Sequence, residues 1–265
     1  MDTHNDLTRS GFLSASVAAA VTSAAGLRAA EAQEISQVSN GKPSIVFCHG
    51  IWADGSCFSK VIQPLQALGY ECISAQYPLN TTADDIAIIK KTLNRVHSPA
   101  VLVGHSYGGQ TITGAGNDDR VKALVYICAL GPDEGETAQA QLGKYPTTPV
   151  FQHIEAVDGR IWMKPEGIAD FCGDLPEAEQ KVVWATNYPP AVDLFSAPMG
   201  VPAWKTKPSW YIVGKNDKAV PPELERFVSK RMGADTIELD SSHCPMLSQP
   251  HAVVEMIVKA ANSVH

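Results

Sequence analysis

Val101-Leu102-Val103-Gly104-His105-Ser106-Tyr107-Gly108-Gly109 is an apolar run that breaks into the pattern G-x-S-x-G. The run predicts a buried strand, and the small residues after it predict a sharp turn into a helix, which leaves the serine hydroxyl exposed at the end of a sheet. Ser106 is therefore the candidate nucleophile. Tyr107 would open the helix, so its backbone N–H would face a group attached to the serine and serve as an oxyanion donor.

The segments on either side fix the fold class. Ser44-Ile45-Val46-Phe47-Cys48 is a second buried strand, followed by His49-Gly50 and a loop that enters a helix from about residue 58 to 68. Residues 71–76 predict a strand, and Ile86, Ile89, Leu93 and Val96 fall at helical spacing. Val121 to Leu130 and Ser209 to Val213 are further apolar runs, Pro221-Pro222 starts a helix through about Met232, Thr236 to Leu239 is a last strand, and a helix follows from Gln249. This alternation predicts an α/β domain with a mainly parallel sheet of about six strands, helices on both faces, and ligands at the carboxyl ends of the strands. From about residue 131 to 207 the alternation stops. The stretch is rich in proline, shows no clean strand, and reads as a mostly helical cap over the strand ends.

The chain of 265 residues is 45% hydrophobic, enough for one large domain, and carries a net charge of −7 with no cluster of lysine or arginine. That balance argues against nucleic acid or an anionic membrane as partner and favours a small, neutral substrate. Residues 1–32 resemble an export leader: Arg9-Ser10 leads into an Ala/Ser/Val run too short to span a bilayer, and Ala30-Glu31-Ala32 offers a cleavage site before Gln33. An exported or periplasmic location follows if the leader is used, and a cytoplasmic one otherwise. Cys48, Cys72 and Cys128 fall in expected core strands, whereas Cys57, Cys172 and Cys244 fall in loops or the insertion, with no disulfide framework evident. Metal-binding spacings such as C-x-x-C are absent, so neither a metal nor a cofactor is expected.

Acyl transfer from a serine needs a base, a carboxylate to orient it, and donors for the oxyanion. Ser106, Asp217 and His243 each follow an expected strand, in the order used by α/β-hydrolases. His243 is the one histidine in a loop after the last strand. His49 reads as a structural hydrogen-bonder, and His105 as pointing away from the serine's face. Asp133 is the rival to Asp217, and Asp240 reads as a turn cap. The second oxyanion donor would be the Ile51 N–H, with Trp52 shaping the acyl pocket and the large cap side chains Trp162, Trp184 and Trp204 contributing to it.

His49-Gly50-Ile51-Trp52, Gly104-His105-Ser106-Tyr107-Gly108-Gly109, Gly214-Lys215-Asn216-Asp217 with Pro221, and His243-Cys244-Pro245 together resemble the α/β-hydrolase branch of plant methyl esterases, hydroxynitrile lyases and bacterial pyrethroid-hydrolase-like carboxylesterases. The similarity runs from about residue 44 to 262 and is weakest in the cap. The lyases of that branch carry a lysine after the catalytic histidine and a threonine after the first-strand histidine, where this chain has Cys244 and Gly50. The resemblance therefore implies hydrolysis. The expected activity is that of a carboxylesterase-type serine hydrolase acting on small to medium, mostly neutral apolar esters; a homodimer is compatible with the sequence, which does not fix the oligomeric state. A perhydrolase or lactonase on the same triad, or a binding protein that has kept the fold, are the alternatives.

Overall fold

The computed structural model describes residues 41–96 and 99–264, so the expected leader lies outside the described residues. Six parallel strands form one sheet: β1 (Ser44–Cys48), β2 (Cys72–Ala75), β3 (Ala100–His105), β4 (Val121–Ile127), β7 (Ser209–Gly214) and β8 (Asp235–Leu239), in the order β2-β1-β3-β4-β7-β8. Every residue of β1, β3 and β7 is buried. These are the continuous apolar runs of the sequence, as strands covered on both faces require.

Nine α-helices lie among the described residues: α1 (Ser59–Ala67), α2 (Thr82–Leu93), α3 (Tyr107–Ala115), α4 (Ala138–Leu142), α5 (Ile168–Cys172), α6 (Glu177–Ala185), α7 (Pro222–Met232), α8 (Pro245–Ser248) and α9 (Pro250–Asn262). Helices α1 and α9 pack together, as do α2 and α3, and α7 lies against β7. Residues of β1 and β3 run in register, with Cys48 beside Gly104, so the loops that leave their carboxyl ends emerge side by side. This is the point where the strand order reverses, with β2 on one side of β1 and β3 on the other, and such a crevice is where open α/β sheets bind ligands.

Two features differ from the sequence reading. Strand β4 stops at Ile127 rather than Leu130 because Cys128 adopts a left-handed conformation, φ 46°, that no strand can continue. The segment between β4 and β7 also contains a strand pair, β5 (Ile154–Val157) and β6 (Arg160–Met163), where no clean strand was expected. Its turn is Asp158-Gly159 with φ 49° and 75°, the left-handed pair that a two-residue hairpin needs and that Asp-Gly supplies at little cost.

Candidate active site

Ser106 sits between β3 and α3 with φ 57° and ψ −123°, a strained conformation for a residue with a side chain. Hydrogen bonds on both of its backbone groups hold it there: its N–H donates to Ile127 at 3.0 Å, and its carbonyl accepts from Gly109 at 3.0 Å and Leu130 at 3.1 Å. The turn closes only because its neighbours lack side chains. A Cβ on Gly108 would lie 2.1 Å from the Cys48 carbonyl oxygen, and one on Gly50 would lie 2.7 Å from the Ser106 Cβ. The second distance also shows how closely the β1 loop approaches the serine.

Tyr107 opens α3, so its N–H has no acceptor one turn back. The buried Tyr107 hydroxyl donates to Asp85 at 2.8 Å and fixes that end of the helix, while burial pushes the Asp85 carboxyl up to about 6. Ile51 lines the space in front of Ser106 together with Trp52, Leu130, Leu142, Phe151, Phe171, Phe195, Ala219, Val220 and His243. That enclosure measures about 20 Å³, room for roughly one water molecule.

His243 is fully buried in the loop after β8, and its Nδ1 lies 2.5 Å from Asp217 Oδ2. The other oxygen of Asp217 accepts from the Ala219 and Val220 N–H groups at 2.7 and 2.9 Å, which fixes the carboxylate. With Nδ1–H donated to that carboxylate, Nε2 is the basic nitrogen, and it has no hydrogen-bond partner among the described residues. Asp174 clamps the same loop by accepting from the Ser242 N–H at 3.0 Å and from the Ser242 hydroxyl. The rival acid Asp133 pairs with Lys205 at 2.8 Å, and Asp240 accepts from Asn216 at 2.7 Å. Asp217 is thus the carboxylate that the fold places on the histidine.

Two expectations need correction. His105 does not point away from the site: its Nε2 lies 2.8 Å from the His243 carbonyl oxygen, and the two rings are 4.6 Å apart. Burial and the neighbouring His243 push its pKa well below the usual histidine range, so a neutral His105 donates to that carbonyl and props the loop. His49, by contrast, has the structural contacts expected of it, with Nδ1 2.9 Å from the Gly50 carbonyl oxygen and its ring stacked on Tyr77. Secondly, Trp162, Trp184 and Trp204 do not line the enclosure. Trp162 is 39% exposed on β6, Trp184 is 36% exposed on α6, and Trp204 is buried elsewhere, donating to the Pro132 carbonyl at 3.2 Å beneath Arg231. The insertion supplies Leu142, Phe151, Phe171 and Phe195 instead, alongside Trp52. Trp52 is tied to the insertion through its N–H on the Tyr188 carbonyl and its Nε1 on the Ile161 carbonyl, both 2.9 Å. Finally, sequence reasoning missed Glu225. This fully buried residue accepts the Gly214 N–H at 2.9 Å, and burial together with the Asp217 charge pushes its carboxyl well above the usual range.

Cys128, Asp217 and Glu225 bring one sulfur and two carboxyl oxygens within 4.8 Å of one another, the one grouping of metal-ligand type among the described residues. Both Asp217 oxygens are already engaged, and burial raises the Cys128 thiol well above its usual range, so the group fits a protonated cluster better than a cation. All six cysteines are free thiols. No helix among the described residues is long and apolar enough to cross a membrane.

Residues 45–256 match the model of the alpha/beta hydrolase family. The chain belongs to that family. Among its relatives is alpha/beta hydrolase nvfD of Aspergillus novofumigatus, 30% identical over 83% of this chain and 97% of the relative. A second is a pyrethroid hydrolase of Sphingobium wenxiniae, 25% identical over 83% of this chain and 88% of the relative. Among solved structures, polyneuridine aldehyde esterase superposes with a TM-score of 0.71 at 18% identity, covering 82% of this chain and 98% of that one. This alpha/beta hydrolase thus shares its fold with the esterase and hydrolase branch that its motifs resemble.

Proposed function

We propose that this alpha/beta hydrolase is a serine carboxylesterase that cleaves small to medium, mostly neutral apolar esters through an acyl-enzyme. The observation that carries the reading is the Asp217–His243 pair set beside a strained serine in one buried enclosure. In this account His243 Nε2 takes the Ser106 proton as Oγ attacks the ester carbonyl, and Asp217 stabilises the imidazolium that forms. The carbonyl oxygen gains negative charge between the Ile51 and Tyr107 N–H groups. His243 then delivers the proton to the departing alkoxide, leaving the acyl group on Ser106. Water attacks that acyl group, gives its proton to His243, and the serine recovers it as the acid leaves.

The substrate class rests on the lining. Leu130, Leu142, Phe151, Phe171, Phe195 and Val220 offer no cation to pair with a charged group, and burial of apolar area contributes about 25 cal/mol per Å². Neutral aryl esters are expected to exceed carboxylate-bearing analogues in kcat/KM. Equal values for the two would remove the substrate assignment, and turnover that persists in Ser106→Ala would remove the mechanism.

A further inference from the structure

The enclosure at Ser106 is too small for any ester, yet larger spaces adjoin it on two sides and share its walls. A cavity of about 450 Å³ lies beyond Trp52 and Phe171. It is bounded by Ala178, Val182 and Val183 of α6 and by Cys244, Met246 and Leu247 after the histidine, with the Lys60–Glu179 ion pair of 2.6 Å at its edge. A second, of about 330 Å³, lies beyond Leu142, Phe151 and Phe195 and is bounded by Tyr145, Thr147 and Pro221. Both volumes fall within the range that holds drug-sized ligands.

The chemistry tells the two sides apart. The departing alkoxide must receive its proton from His243 Nε2, so the alcohol half of an ester extends past the histidine. Phe171 lies on that path, its ring centroid 5.0 Å from that of His243, and the residues that follow His243 in the chain form the wall of the larger cavity. Trp52, the other shared wall, is pinned by two hydrogen bonds, whereas the Phe171 ring is held by packing alone, on a helix of five residues.

Resting on the esterase reading, we propose that the cavity lined by α6 and Cys244–Leu247 receives the alcohol moiety of the substrate, a bulky apolar group of about two fused rings, with Phe171 as the partition that turns aside to admit it. The cavity beyond Phe151 and Phe195 receives the acyl chain.

Two isomeric neutral esters test this: 2-naphthylmethyl acetate, with the rings on the alcohol, and methyl 2-naphthylacetate, with the same rings on the acid. Ala178→Trp and Val183→Trp fill the first cavity from α6, and Thr147→Trp fills the second from an exposed position. The α6 variants are expected to lose about tenfold or more in kcat/KM for the acetate while the methyl ester changes little, and Thr147→Trp to do the reverse. Thermal melting identifies any variant that has lost its fold, in which case the second α6 variant decides. An equal loss on both esters, no loss on either, or the opposite pattern overturns the assignment while leaving the esterase reading intact. Wild type that hydrolyses neither ester ends both.

Discussion

Glu225 and Asp217 bring carboxyl oxygens within 4.8 Å of each other in a fully buried setting, although only Asp217 faces the histidine. Two ionised carboxylates at that separation repel strongly, and Glu225 yields: one of its oxygens takes the Gly214 N–H, and the other is an orphan unless it carries a proton. A neutral Glu225 leaves the negative charge of the pair on Asp217, where the proposed mechanism calls for it. The charged and titratable groups around Glu225 are Asp217, Cys128, Tyr211 and Arg226, and of these only Arg226 favours its ionised form.

Stability should depend on pH through this residue. Its folded-state pKa is raised above that of the unfolded chain, so its contribution is fully present below the unfolded glutamate pKa and is lost as pH rises toward the folded value. Glu225→Gln removes that loss while keeping a neutral group of the same shape. The variant is expected to match wild type in Tm near pH 4 and to exceed it near pH 8, each kcal/mol appearing as roughly 2–4 °C. An equal shift at both pH values would mean that Glu225 is ionised in the fold.

Kinetics of the acid variants separate the two carboxylates that the sequence offers. Asp217→Asn is expected to lower kcat by on the order of 10²–10⁴, and His243→Ala by more, because without the carboxylate the imidazole loses its orientation and charge partner. Asp133→Asn breaks only a half-exposed pair with Lys205 and should leave turnover unchanged. A crippled Asp133→Asn beside an active Asp217→Asn would reverse the assignment.

Of the three insertion tryptophans, only Trp204 is buried. Trp204→Ala is expected to cost about 3–5 kcal/mol, read in chemical denaturation, with the ratio of kcat/KM for neutral and charged esters unmoved. Trp162→Ala and Trp184→Ala should change stability by less than about 1 kcal/mol. A shift of that substrate ratio in any of the three would return the residue to the pocket.

The elbow, the sheet and the order of Ser106, Asp217 and His243 were legible because each depends on local sequence: apolar runs for buried strands, small residues for a tight turn, and loops placed after strands. Side-chain direction within the insertion was not. Size singled out the tryptophans, but α6 turns Ala178, Val182 and Val183 toward the cavity and leaves Trp184 off that stripe. The hairpin had a readable signal in Asp158-Gly159, which the irregular apolar pattern around it obscured. Nothing in Pro222-Glu223-Leu224-Glu225 tells which glutamate is buried, since both suit a helix start and only packing against β7 turns Glu225 inward. His105 was misread because an elbow pattern does not report that the histidine loop returns over it.

We propose that residues 1–32 act as an export leader. Expression in a host with export machinery should yield a mature chain that begins near Gln33 by mass spectrometry, and an intact N-terminus there would remove the assignment.

The proposed reaction requires Ser106 to be a nucleophile activated by the Asp217–His243 pair. Treatment with a fluorophosphonate followed by intact mass and peptide mapping tests that directly. A single adduct is expected on the peptide that carries Ser106, with none in Ser106→Ala and labelling slowed by orders of magnitude in His243→Ala. An unlabelled wild type, or an adduct that survives Ser106→Ala, would contradict it.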